Sequence, residues 1–315
     1  MLREVANNIF LLPVPVPVSV EEVNLYLFAG EEPALLDTGT NLPGTVERIH
    51  RAMELAGVKG LSRVLLTHWH VDHAGSAAAL AAEGAEVLIS ARDWREWQSF
   101  GQDLGLATIK QRFNHDWGVP EEEMPGMLEI YRRLVKLSTS PSKVSFLQPG
   151  GKVRAGDYWL QSVPTPGHTP GHLAFYEEER GLLFSGDQLL PDQIPYPGAW
   201  LEGEEIVSGL PAYLDSLAAL EELAAREYFP AHGRPQQSPA LRCAEVRETI
   251  FQQVKEFKPA GTVYEAACRL SKGRPQPGAL FMYLHYAFGW ESLASKVLGP
   301  GLEANDTGPA KTERL

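Results

Sequence analysis

Thr67-His68-Trp69-His70-Val71-Asp72-His73-Ala74-Gly75 is the stretch whose reading decides the fold of this chain. Three imidazoles and a carboxylate fall within six consecutive residues, just after the apolar run Val64-Leu65-Leu66, which reads as a buried strand ending in a loop. In extended backbone alternate side chains share a face, so His68 and His70 point the same way, while Asp72 and His73 lie where the chain turns into the next helix. Two ligand pairs result. Imidazole nitrogen and carboxylate oxygen suit zinc, and suit iron and manganese nearly as well. A chance H-x-H means little in a chain with nine His, whereas H-x-H-x-D-H is far harder to reach by accident.

The stretch resembles the signature of the metallo-β-lactamase-fold hydrolase superfamily, and later residues continue the resemblance. His168 stands in Pro166-Gly167-His168-Thr169, Asp187 in Phe184-Ser185-Gly186-Asp187, His232 in Pro230-Ala231-His232-Gly233, and Asp37 in Leu35-Leu36-Asp37-Thr38-Gly39. The resemblance covers residues 5 to 237. It implies an α/β fold, a four-layer αβ/βα sandwich with a dinuclear metal site at one edge of the paired sheets. By motif position it assigns one metal to His68, His70 and His168 and a second to Asp72, His73 and His232, with Asp187 bridging. The implied cofactors are two divalent ions, zinc first, with iron or manganese as alternatives. Asp37 would stand behind a ligand histidine and set its orientation; taken alone it reads equally well as a turn residue before Thr38-Gly39. Of the two histidines in Pro166-Gly167-His168-Thr169-Pro170-Gly171-His172, the resemblance gives the ligand role to His168, and His172 is expected to pack or support behind it. The prolines and glycines around them make a stiff loop, which suits a ligand that must not move.

With 315 residues and 44% hydrophobic content the chain can bury a large core. No apolar run reaches the length that spans a bilayer, and Met1-Leu2-Arg3-Glu4 lacks the basic-then-apolar order of a signal peptide, so a cytoplasmic location without membrane contact is expected. Cys243 and Cys268 both lie beyond the His and Asp cluster, and neither a disulfide framework nor a thiolate site is indicated. The net charge of −12 disfavours a surface that grips nucleic acid along its length. The charge is uneven: residues 238 to 298 carry eight Lys or Arg against five Asp or Glu, which keeps an anionic partner open for that piece.

Along the chain, Ile9 to Val18 starts as a strand and is then held extended by Pro13, Pro15 and Pro17, which confines it to a sheet edge or to a path beside the core. Val23 to Phe28 and Ala34 to Leu36 read as strands, 43 to 56 as a helix opened by Pro43, 74 to 82 as an alanine-rich helix and 87 to 89 as a strand. From 91 to 142 the spacing of Trp94, Trp97, Phe100, Leu104, Leu106, Ile109 and Phe113, then Met127 to Val135, predicts a helical insertion that shapes the pocket or offers a homodimer contact. His115 within it reads as a surface residue. Strands return at 144 to 147, 158 to 163, 172 to 176 and 182 to 185; Tyr196 and Trp200 are candidate pocket walls, and a helix over 204 to 225 precedes Tyr228-Phe229-Pro230. The catalytic domain thus spans 1 to 237. Residues 238 to 298 predict an α-rich module, loosely similar to a winged-helix extension, with Thr262 capping one helix and Tyr283, His285 and Arg274 expected in core or surface positions. Residues 299 to 315 read as a polar tail.

The chemistry implied is a hydroxide held by two cations that attacks a carbonyl carbon or a phosphorus, with Asp72 and Asp187 as the catalytic carboxylates and Asp72 as proton acceptor. The ligand set does not select the bond, because one fold hosts many chemistries. The acidic catalytic region and the insertion favour a small-molecule thioester or ester substrate. A phosphodiesterase or endoribonuclease is the alternative suggested by the C-terminal charge, and a mono-iron persulfide dioxygenase the alternative suggested by similarity of the motif.

Overall fold

The computed structural model describes residues 1–17, 21–101, 110–198, 201–202, 205–206, 209–256 and 261–297. Leu104, Leu106, Ile109, Trp200 and the tail 299–315 lie outside the described residues. Two sheets stack face to face. The first has seven strands in chain order: β1 (Arg3–Ala6), β2 (Ile9–Pro15), β3 (Glu22–Phe28), β4 (Ala34–Leu36), β5 (Arg63–Leu65), β6 (Glu86–Ile89) and β7 (Ser145–Phe146). The second contains β8 (Lys152–Ala155), β9 (Tyr158–Pro164), β10 (Leu173–Glu177), β11 (Leu182–Gly186), β14 (Glu227–Pro230) and β15 (Gln236–Gln237), ordered β15-β14-β11-β10-β9-β8. A two-residue ladder pairs β12 (Leu201–Glu202) with β13 (Glu205–Ile206).

The period of two in the strands explains the layering. In β3, Val23, Leu25 and Leu27 join an apolar cluster with Ile49 of helix α1 (Thr45–Leu55), Leu80 of α3 (Ala77–Ala82) and Trp97 of α4 (Ala91–Ser99). The alternate residues Tyr26 and Phe28 point the other way, into a second cluster with Leu160, Phe175, Phe184 and Phe229 of the opposite sheet. The seam between the sheets is aromatic: Phe184 lies 5.2 Å from Tyr26, 5.1 Å from Phe28 and 5.0 Å from Phe229, centroid to centroid. The outer face of the second sheet, through Ala174, Tyr176, Leu183 and Tyr228, packs on α6 (Leu210–Glu221) and α7 (Pro239–Glu256). Helices, sheet, sheet and helices make the four-layer sandwich that the resemblance implies.

The prolines of β2 meet the expected constraint in a particular way. The strand is not at the sheet edge, but β1 pairs with it only as far as Leu11, so Pro13 and Pro15 sit where β3 flanks one side and β1 has ended on the other. Helix α1 begins at Thr45, after Gly44 in the left-handed region, rather than at Pro43. The alanine-rich segment divides into the single turn α2 (Val71–Ala74) and α3. Gly75 separates them, because a Cβ there would lie 2.4 Å from the carbonyl oxygens of Leu137 and Val71.

Strands β4 to β7 are parallel, and β11 runs parallel to β14, so the loops after β4, β5, β11 and β14 all leave at carboxyl ends of strands. Ligand sites in open α/β sheets form at such an edge. Over the same end, a π-helical segment (Gln111–Asp116) and α5 (Met124–Val135) share one apolar cluster with α8 (Val263–Leu270) and α9 (Pro277–Val297), built on Phe113, Trp117, Met127, Ala266, Leu280 and Leu284. The capping box expected at Thr262 is present: its side chain accepts from Glu265 N while Glu265 reaches back to the Thr262 amide. Beyond β15 the secondary-structure elements of the described residues are all helices.

Candidate metal centre

Four loops deliver the side chains. After β5 the chain leaves regular structure, bending at Thr67 and His70, then enters α2, which presents Asp72 and His73 from one helical turn. His168 comes from the β9–β10 loop, Asp187 follows β11 and His232 follows β14. Their inner atoms converge. His70 Nδ1 lies 3.0 Å from His68 Nε2 and 2.9 Å from His168 Nε2. On the other side Asp72 Oδ2 lies 3.7 Å from His73 Nε2 and 3.5 Å from His232 Nε2. Asp187 faces both: Oδ2 is 3.4 Å from His168 Nε2, and Oδ1 is 3.6 Å from His73 Nε2 and 3.4 Å from His232 Nε2. Three sets have their donor atoms within 4.8 Å of one another: His68, His70 and His168; Asp72, His73 and His232; and His68, His73 and Asp187.

Outer ring nitrogens are engaged elsewhere, which assigns the tautomers. His73 Nδ1–H donates to Asp37 Oδ2 at 2.9 Å, His232 Nδ1–H to the Glu22 carbonyl at 2.6 Å and His168 Nδ1–H to the Tyr196 carbonyl at 2.9 Å. His68 Nδ1–H donates to Thr67 Oγ1 at 3.0 Å, and that hydroxyl donates to Asp37 Oδ2 at 2.9 Å. His70 Nε2–H faces the Tyr196 hydroxyl at 3.3 Å. These outer bonds turn the inner nitrogens towards one another, where a cation can take them once His73 and His232 give up their protons. Buried His73 Nε2 and Asp187 Oδ1 have no hydrogen-bond partner, a cost that a bound cation would remove. Nitrogen and oxygen donors in this arrangement fit divalent metal ions.

The metal-free charges differ between the two sides. Burial and the neighbouring imidazoles hold His68 and His70 well below the ordinary histidine value, and burial also lowers His168. Burial pulls His73 and His232 down as well, but Asp187 and Asp72 outweigh it and both rings end above the ordinary value. Asp72, which burial alone would raise, is lowered to about 2 by His73 and His232. The raised histidines stabilise the metal-free fold fully below their unfolded value, and that contribution is lost as pH rises through their folded values. Cation binding must displace their protons, so affinity is expected to fall as pH falls from neutrality. Titration calorimetry in two buffers of different ionisation enthalpy should show net proton release at neutral pH; no release would contradict these protonation states.

The family model for the metallo-beta-lactamase superfamily matches residues 18–232, most of the chain. The chain belongs to that superfamily. It is 27% identical over 238 residues to "Probable metallo-hydrolase YqjP" of Bacillus subtilis (strain 168), covering 73% of this chain and 72% of that protein. Against "Lactamase-like protein adaB" of Aspergillus niger it is 27% identical over 220 residues, 70% of this chain, and spans about half of that protein's length (52%). A solved metallo-beta-lactamase family protein of Thermus thermophilus superposes with a TM-score of 0.77 at 28% identity, covering 91% of this chain and 94% of that one.

Within this superfamily frame, His172 takes a different part from the other histidines. Its Nε2 accepts from the Asp187 amide at 3.1 Å, so Nδ1 carries the proton and donates to Thr165 Oγ1 at 2.8 Å. A ring whose inner nitrogen is already an acceptor of a backbone N–H positions Asp187 instead of joining the donor sets. Gly167, at φ 145, brings the His168 loop against α6: a Cβ there would meet Tyr213 Cα at 2.4 Å. Gly167→Ala is expected to destabilise by about 2–6 kcal/mol, backbone strain plus overpacking of about 1–3 each. A denaturant midpoint unchanged from wild type would refute that.

Three supports were not read from the sequence. Tyr196, expected only as a pocket wall, holds two histidines at once, His168 through its carbonyl and His70 through its hydroxyl. Asn24 of β3 donates to the carbonyls of Pro230 at 3.0 Å and Gly233 at 2.7 Å, bracketing His232. Asp93 of α4 is fully buried and accepts from Trp69, Thr169 and Gly171; burial pushes its carboxyl up to about 7 while those donors pull the other way. None follows a recognisable spacing, although Ser90 three residues before Asp93 does mark a helix start. Of the remaining candidates, His115 is exposed as expected and Arg274 pairs with Glu123. His285 is buried with its ring 5.7 Å from that of Tyr196, so α9 reaches the wall of the centre.

Proposed function

We propose that the chain is a dinuclear metal-dependent hydrolase acting on a small-molecule thioester or ester. The observation that carries this is the orientation of Asp187, whose two carboxylate oxygens face the two donor sets separately. That is how a carboxylate shared by two nearby cations is presented. His68, His70 and His168 would hold one, Asp72, His73 and His232 the other, with zinc the first choice and iron or manganese compatible with the same donors. Two such ions supply a water activated at neutral pH and Lewis-acid stabilisation of charge developing on the substrate oxygen.

The chain's own residues contribute orientation and proton handling. The outer hydrogen bonds keep each ring from rotating, so the inner nitrogens are preorganised. Asp72, lowered to about 2, stays ionised and accepts hydrogen bonds, but is a weak base; it orients a proton on its way to the leaving group more readily than it abstracts one. The Tyr196 phenol, held far above its ordinary value by burial and the nearby carboxylates, stays protonated while its oxygen accepts from His70 Nε2–H. The name of the Bacillus subtilis relative, "Probable metallo-hydrolase YqjP", supports hydrolysis over oxygen chemistry. The full second donor set supports two metals over one.

Elemental analysis of the purified protein with a screen over thioesters, lactones, other esters and phosphodiesters tests this. About two metal ions per chain, as a two-metal site requires, with thioester or ester turnover are expected. Turnover of phosphodiesters alone would replace the substrate class, and a single iron with oxygen uptake and no hydrolysis would overturn the reading.

A further inference from the structure

We propose that Asp93 is a positioning residue that sets the distance between the two loops carrying His68, His70 and His168, and so tunes one metal position and not the other; this rests on the dinuclear reading above. Asp93 lies in the first turn of α4, behind the cluster, with no exposed surface. Its Oδ2 accepts from the Trp69 amide at 3.2 Å and the Thr169 hydroxyl at 2.7 Å, and its Oδ1 from the Gly171 amide at 2.6 Å. Trp69 is the residue between His68 and His70, and Thr169 is the neighbour of His168. One carboxylate therefore ties together two loops remote along the chain, each through backbone or side-chain groups adjoining a candidate ligand.

The second donor set is anchored independently. His73 is held by Asp37, and His232 by the Glu22 carbonyl within a turn bracketed by Asn24. The fit at Gly171 shows how closely the His168 loop approaches α4: a Cβ there would lie 2.1 Å from Ser90 Oγ and 2.6 Å from both Asp93 N and Oδ1. The start of a helix is also where a carboxylate is favoured, and all three donors converge on its two oxygens. An asparagine of the same shape must turn an NH2 group towards at least one of those donors, which pushes the loops apart.

Asp93→Asn and Thr169→Val in the full chain test this, using zinc affinities from chelator competition and cobalt(II) absorption as the readout. Wild type should bind two ions; fewer would sink the dinuclear reading itself, independently of the variants. In Asp93→Asn one affinity should fall by about 10- to 100-fold, the range for an outer hydrogen-bond partner of a metal ligand, with the other unchanged. The cobalt band lost should match the band lost in His168→Ala and differ from that lost in His232→Ala. Thr169→Val removes one donor of the three, should weaken the same position by less, and carries the test if Asp93→Asn does not fold. Equal weakening of both positions, or of neither, would show that Asp93 only staples the fold.

Discussion

Alanine at Asp187 should abolish retention of metal at either position and lower hydrolysis by at least about 10³-fold, the upper range for loss of one preorganised electrostatic group, while the sandwich stays folded. Both carboxylate oxygens lie within 3.6 Å of ring nitrogens, one from each side, so no other side chain substitutes for it. The backbone is not at stake. The Asp187 amide still donates to His172, and β11 remains paired to β10 and β14 without the side chain. Metal content and activity should therefore collapse together, with the circular dichroism spectrum close to wild type. Full activity with undiminished metal would remove Asp187 from the centre.

Asp37→Ala should act on stability and on both metal positions together. Asp37 Oδ1 accepts from the Thr67 amide at 2.9 Å, and Oδ2 accepts from His73 Nδ1 and from the Thr67 hydroxyl that in turn orients His68. One carboxylate behind the cluster thus orients a ring on each side of it. Removing it leaves buried donors unmatched beside a histidine held in its charged form, at a cost of about 3–5 kcal/mol in the metal-free protein. Metal affinity should drop by about 10- to 100-fold at both positions. The residue also sits at φ 58, which Asn tolerates and Ala does not, so Asp37→Asn should recover part of the stability but not the orientation of His73. Loss confined to one metal position would separate Thr67 and His68 from Asp37's influence.

Much of the centre could be read locally because its chemistry is dense in sequence. His68, His70, Asp72 and His73 are close enough that their local spacing groups them, whereas Asp37, His168, Asp187 and His232 are reached only through the resemblance of their turns to the superfamily pattern. The strands of both sheets were legible where they are apolar and long, as in β3 and β10. β1 and β8 were missed: Arg3–Ala6 and Lys152–Ala155 are four residues each and half charged, so their pairing with β2 and β9 supplies the order their own composition does not.

By itself the sequence determined the donor types, their local spacing and the alternation of strands and helices, with the layered sandwich reached through the resemblance to the superfamily. Tertiary structure alone decided that His168 meets His70, that Asp187 turns one oxygen to each donor set, that Tyr196 holds two rings and that Asp93 ties two distant loops. Those are contacts between groups remote along the chain, and their geometry depends on how the two sheets stack and where each loop leaves its strand, which no local pattern encodes.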